Sequence, residues 1–132
     1  MKLFTRDTDY ALRALSFMAK HQEKLVCVGE LVRELNIPRP FLRKILQLLN
    51  KNKILKSYKG KGGGFSLSRP AEKIFLMDLI EVFQGKFRLN ECSFKKNICP
   101  NLKNCRLRRK VINIENYVLK ELSSITLASL LR

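Results

Sequence analysis

The sequence predicts a mainly α-helical fold that carries one small β-hairpin and a long C-terminal helix. Three observations carry that prediction. Apolar residues recur at helical spacing in four separate stretches, a Gly-rich link stands between two short strand candidates, and a near-heptad apolar repeat returns after a polar, cysteine-bearing interval. The chain has 132 residues, 45% of them hydrophobic and 29% charged, which suits one folded core rather than a disordered tail.

Thr8 is the expected N-cap of a first helix that carries Tyr10, Ala11, Ala14, Leu15 and Met18 and ends near His21. A short second helix over 29–35 places Leu31, Val32 and Leu35 on one face. Asn36-Ile37-Pro38-Arg39-Pro40 then breaks the helical run, because proline cannot continue a helix and restricts the residue before it. Pro40 suits the first turn of the next helix, expected over 40–52. There Phe41, Leu42, Ile45, Leu48 and Leu49 form an apolar face, opposite Arg39, Arg43, Lys44, Gln47 and Lys51. Two helices around a tight turn, the second with a basic outer face, is the helix-turn-helix pattern.

Strands are expected over 54–58 and 65–68, joined by Lys59-Gly60-Lys61-Gly62-Gly63-Gly64. Glycine accepts positive φ freely, so this link predicts a hairpin, and a hairpin in this position is a wing. A P-loop would need its glycines between a strand and a helix, ending in Gly-Lys-Ser/Thr, so nucleotide binding is not expected here. A further helix over 74–83 turns Ile74, Met77, Ile80 and Phe83 inward. The last long helix starts at Cys105, with Leu107, Val111, Ile114, Val118 and Leu122 near the 3.5-residue repeat of a helix–helix seam. This predicts a dimer seam, with an apolar tail over 125–131 packing on the same dimer.

Charge narrows the partner. There are 27 Lys and Arg against 11 Asp and Glu, a net charge of +16, which favours a polyanion through counterion release. Residues 35–71 contain no acid but hold nine Lys or Arg, and the acid-free stretch 92–114 holds seven more. Double-stranded DNA is the expected partner. Arg43 and Gln47, four apart on one helix face, are candidate base readers, because Arg can donate twice to guanine and Gln can pair with adenine. Arg39, Lys44, Lys51, Lys59 and Lys61 are candidate phosphate contacts. One histidine, His21, and few carboxylates offer little for catalysis, so no enzyme is expected. No apolar run approaches the roughly 18 residues of a membrane span and no signal peptide is evident, so the expected location is cytoplasmic.

Cys92, Cys99 and Cys105 form C-x6-C-x5-C among Asn, Lys and Pro, whereas Cys27 stands apart and reads as a small buried hydrophobe. Zinc sites usually show a close C-x2-4-C pair with four N/S ligands. The cytoplasmic setting disfavours disulfides. An iron–sulfur cluster, whose thiolate ligands span wider gaps, a zinc site and a thiol switch remain open on this chemistry.

The chain resembles, over about its full length, the Rrf2 family of bacterial winged-helix regulators. Tyr10-Ala11-Leu12-Arg13-Ala14-Leu15 is similar to the family's opening helix and residues 37–49 to its recognition helix. Lys61-Gly62-Gly63-Gly64-Phe65-Ser66-Leu67 resembles its wing, and Ile125-Thr126-Leu127 its C-terminal segment. The resemblance implies a homodimer on a pseudo-palindromic operator, with a [2Fe–2S] or [4Fe–4S] cluster on Cys92, Cys99 and Cys105. Where the IscR-like branch places a ligating histidine, this chain has Arg108, which cannot ligate. NsrR-like members complete their cluster with an aspartate of the other subunit just before the opening helix, and Asp9 stands at that place. Arg43 replaces a glutamate that shapes operator choice in the IscR-like branch, so the target sequence is not inherited from it.

The expectation is therefore a winged helix-turn-helix over 1–84, a cluster-binding loop over 85–105, and a dimerisation helix with C-terminal segment over 106–132. Its expected role is a transcription regulator, of repressor type, responding to redox state, iron–sulfur status or nitric oxide. A zinc or thiol-oxidation regulator, and a small iron–sulfur redox protein, are the competing expectations.

Overall fold

A computed structural model describes residues 3–87 and 106–131. Cys92, Cys99 and Cys105, and with them most of the expected loop 85–105, lie outside the described residues. The described elements are α1 (Arg6–Lys20), α2 (Val28–Leu35), α3 (Arg39–Lys51), β1 (Leu55–Tyr58), β2 (Gly64–Leu67), a 3-10 turn (Ala71–Lys73), α4 (Leu76–Gln84), α5 (Arg106–Ser123) and α6 (Leu127–Leu130).

Helix α1 begins three residues before the expected boundary. Thr5 is its N-cap, accepting from the Thr8 N–H at 3.4 Å, and Asp7 and Asp9 supply the first-turn acids that the helix dipole favours. Thr8 instead faces inward, and with Ala11, Ala14, Leu15 and Met18 it forms one buried stripe. A buried hydroxyl needs a partner, and Thr8 Oγ1 donates to Gln84 Oε1 at 2.7 Å. The same oxygen accepts from Thr5 N at 2.9 Å, and Gln84 Nε2 donates to Leu3 O at 3.1 Å. The end of α4 is thereby fastened to the start of α1.

Helix α2 stops at Asn36, whose φ of 55° is the left-handed conformation that asparagine tolerates. Helix α3 follows after two residues, with Pro40 in its first turn, and buries Leu42, Ile45, Leu46 and Leu49. The inward arc is rotated slightly from the expected one. Leu46 joins it, Leu48 is half-buried, and Phe41 is 40% exposed. Spacing of i, i+3, i+4 and i+7 gives four residues one shared face, and Phe41 and Leu48 fall at its edge.

Strands β1 and β2 pair antiparallel, Leu55 opposite Leu67 and Tyr58 opposite Gly64, and Val26 adds a bridge on the far side of β2 at Phe65. Close backbone approach explains two of the glycines. A Cβ on Gly63 would stand 2.1 Å from Tyr58 O, and one on Gly64 would stand 2.8 Å from Val26 O. The hairpin is thus pressed against the segment that leads into α2.

Beyond the hairpin the sequence expectation needs one correction. Ile74 is buried but precedes the helix, because Asp78 accepts from the Phe75 N–H and fixes the start of α4 at Leu76. The tail packs on its own domain. Leu127 N donates to Ile74 O at 2.7 Å and Leu76 N donates to Ile125 O at 3.0 Å, which places Leu127 in the core with Leu122. Helix α5 rejoins that core only at its C-terminal end. Its apolar stripe runs from buried Leu122 through half-buried Val118 to Ile114 and Leu107, which are 57% and 73% exposed. Among the described residues, no helix is long and apolar enough to cross a membrane.

Candidate nucleic-acid interface

Burial on one side of α3 decides what its other side presents. With Leu42, Ile45, Leu46 and Leu49 inward, the opposite line of a 3.6-residue helix passes through Pro40, Lys44, Gln47 and Lys51, with Arg43 beside it. Arg39, Arg43, Lys44, Gln47 and Lys51 are all exposed, as are Lys59 and Lys61 in the hairpin loop. Of the basic residues in the acid-free stretch 35–71, Arg69 alone has a described carboxylate partner, Asp78 at 3.8 Å. The other cations of that stretch are left to solvent or a ligand.

The structure brings the start of α2 and the start of α3 together. A Cβ added at Gly29, in the first turn of α2, would lie 3.6 Å from Arg39 Nη2, so the Arg39 guanidinium leans across from α3 toward α2. The first-turn acid of α2 is turned to other work. Glu30 accepts a hydrogen bond from Lys24, and that bond raises the Lys24 pKa above its ordinary value.

Two further cations share this surface. Lys53 and Lys56 line an open concavity of about 410 Å³ between the end of α3 and β1, with Asn50, Ser57 and Tyr58 beside them. The signal was present, since both lie in the acid-free stretch, but their shared surface depends on Lys53 turning the chain with a φ of 63°. Arg6 adds a third cation beside α3. It belongs to α1 in sequence, yet its guanidinium carbon lies 4.8 Å from the centroid of the Phe41 ring on α3.

Of the expected cluster ligands only Asp9 is described. Its carboxylate is 3.1 Å from Arg13 Nε, one turn along α1, and remains 47% exposed. Cys27 is a correction. It is exposed at the N-cap of α2, because the Val26–Phe65 bridge turns Val26 inward and leaves the next side chain outside. Among the described residues, no group of three or more His, Cys, Asp or Glu could hold a metal ion.

A tri-helical core, a helix with one buried and one basic face, and a short hairpin beside it define a winged helix-turn-helix DNA-binding protein. The family described as "Rrf2: Iron-dependent Transcriptional regulator" matches residues 4–132, and the chain belongs to that family. A protein of Aquifex aeolicus (strain VF5), provisionally named an HTH-type transcriptional regulator, is 37% identical over 97 residues, which are 74% of this chain and 67% of that one. The structure of CymR (YrzC), the global cysteine regulator of B. subtilis, superposes with a TM-score of 0.81 at 24% identity, covering 99% of this chain and 97% of the other. T. potens IscR superposes with a TM-score of 0.76 at 23% identity, covering 99% and 86%. The two superpositions establish the winged-helix fold. As a member of this family the chain is a DNA-binding transcription regulator and not an enzyme.

Proposed function

We propose that the chain is a homodimeric regulator that reads a pseudo-palindromic operator with α3 and holds the flanking backbone with its wing. The two-faced α3 carries this reading: four fully buried aliphatic side chains on one side, an acid-free cationic surface on the other. Gln47 and Arg43 read base edges. Lys44, Lys51, Lys59 and Lys61 contact phosphates, and Arg39, reaching toward Gly29, holds the backbone where α2 and α3 both begin. Helix α5 supplies the dimer contact through its exposed stripe at Leu107 and Ile114, continuous with the core at Val118 and Leu122.

Operator binding is controlled, on this reading, by an iron–sulfur cluster on Cys92, Cys99 and Cys105. The donor set fits such a group: three thiolates in a basic segment, with a solvent-accessible carboxylate, Asp9, available to complete it from the partner subunit. Bound there, the cluster would supply a redox-active and gas-reactive centre. The protein's share is to hold three thiolates in a segment that begins after Gly85, directly beyond the Gln84 fastening to α1.

Anaerobic purification tests both halves. The protein should show broad visible absorption that Cys92→Ala, Cys99→Ala or Cys105→Ala each abolish and Cys27→Ala leaves intact. Colour surviving all three loop substitutions sinks the cluster, and a colourless protein with stoichiometric zinc selects the zinc regulator. In the same preparations Arg43→Ala and Gln47→Ala should change the motif selected from random duplexes, with about 1–3 kcal/mol of discrimination at each base contact. An unchanged motif sinks the docking.

A further inference from the structure

Arg6 is the first residue of α1, where the positive end of the helix dipole disfavours a cation. Helix stability therefore does not account for it. Among the described residues it has no carboxylate partner, and Asp9, three residues on, pairs with Arg13 instead. Its guanidinium instead lies over the ring of Phe41, 4.8 Å from the centroid.

Phe41 sits in the first turn of α3 and is 40% exposed, although the neighbouring Leu42 is fully buried. Lys44, three residues on, extends the same side of the helix. The first turn of a recognition helix is the end that approaches the bases, so Arg6 stands beside the part of α3 nearest to DNA. A guanidinium stacked on a ring keeps its in-plane N–H edges free, and those edges match the geometry of a phosphate. The backbone that carries Arg6 is also fixed. Thr5 N and Thr8 Oγ1 both donate to Gln84 Oε1, at 2.9 and 2.7 Å, so little ordering remains to be paid for on binding.

We propose that Arg6 is a DNA-backbone contact: with α3 in the major groove, its guanidinium, stacked on Phe41, donates to a phosphate on the strand bordering that groove. The recognition surface then extends onto α1. The proposal rests on the docking of α3 described above and uses none of the cysteine chemistry.

The test is equilibrium binding of the full chain to its selected duplex across a KCl series, with thermal unfolding recorded for every variant. Arg6→Ala should lower the slope of log K against log salt by about one, as loss of a single phosphate contact does. It should weaken binding about tenfold and leave the selected motif unchanged. Arg6→Gln, which keeps most of the stem, should lose the same slope, whereas Arg6→Lys should retain it with lower affinity. If Arg6→Ala does not fold, the Gln and Lys variants carry the comparison. An unchanged slope in Arg6→Ala and Arg6→Gln overturns the proposal, even where affinity falls, because Arg6 would then act only by packing on α3. Lys61→Ala is the reference. If neither Lys61→Ala nor the Arg6 variants lower the slope, the docking itself is wrong; if Lys61→Ala alone lowers it, only the role of Arg6 is lost.

Discussion

In α3, Leu42, Ile45, Leu46 and Leu49 are closed off from solvent by the rest of the domain, whereas the stripe of α5 is closed only at Leu122 and opens toward Ile114 and Leu107. Tyr117 and Ile112 beside that stripe are exposed as well. Both helices are amphipathic, and both have a basic side. The difference lies in what is available to cover the apolar side. Helix α3 is enclosed by α1, α2 and β1. Helix α5 packs mainly on α4, and Leu107, Ile112, Ile114 and Tyr117 have no cover within the described residues. An amphipathic pattern states that a face will be buried, but not whether its own chain or a second copy buries it.

The largest expected effect breaks the first half of that comparison. Leu46→Ala removes a fully buried side chain from the centre of α3 and leaves a cavity between helices. It should cost about 2–5 kcal/mol of unfolding free energy in urea titration. A cost below about 1 kcal/mol would mean that α3 is not held as described. Ile114→Glu should behave in the opposite way. The residue touches solvent already, so domain stability should change by no more than about 0.5 kcal/mol. Its effect should appear in sedimentation, where the wild type should run as the proposed dimer and the variant as a monomer at the same concentration. A dimer unaffected by Ile114→Glu places the seam elsewhere.

The comparison also shows which features the sequence alone could reveal. Helices α1 to α3 and the wing were legible because their signals are local: apolar spacing, proline punctuation and a Gly-rich link between strands. Boundaries slipped where a side chain chose between two local roles. Thr8 reads as an N-cap, but its hydroxyl is used in the core by Gln84, 76 residues away, so the cap falls to Thr5. Ile74 reads as helical by spacing, yet its carbonyl accepts from Leu127, a contact that only the folded tail creates. Periodicity likewise marks Leu127 as buried without naming its neighbours, which the fold shows to include Ile74. At the candidate interface, Arg43, Lys44, Gln47, Lys59 and Lys61 were legible because charge and helical phase suffice to place them outside. Arg6 was not, because its position depends on α1 crossing α3.

The smallest expected effect on stability is at Asp9, and it separates a helix-end acid from a ligand. As a helix-end acid, Asp9 favours the first turn of α1 and pairs with Arg13 at 3.1 Å, with both side chains about half exposed. Exposed pairs of this spacing contribute about 0.3–0.5 kcal/mol, so Asp9→Ala should barely shift the thermal midpoint of the apo protein. On the proposed reading the accessible carboxylate exchanges Arg13 for a metal centre presented by a second copy, and no buried contact has to break for it to do so. Carboxylates hold iron less firmly than thiolates, so in the proposed cluster-bearing dimer Asp9→Ala should leave assembly on the three cysteines possible while shortening cluster lifetime in air and altering the response to nitric oxide. Arg13→Ala is the matching variant. It removes the same ion pair but frees the carboxylate, so it should leave cluster lifetime equal to or longer than that of the wild type. Equal lifetimes and equal nitric-oxide responses in Asp9→Ala and the wild type would reduce Asp9 to its role at the helix end, and the exposed carboxylate would then report only on the start of α1.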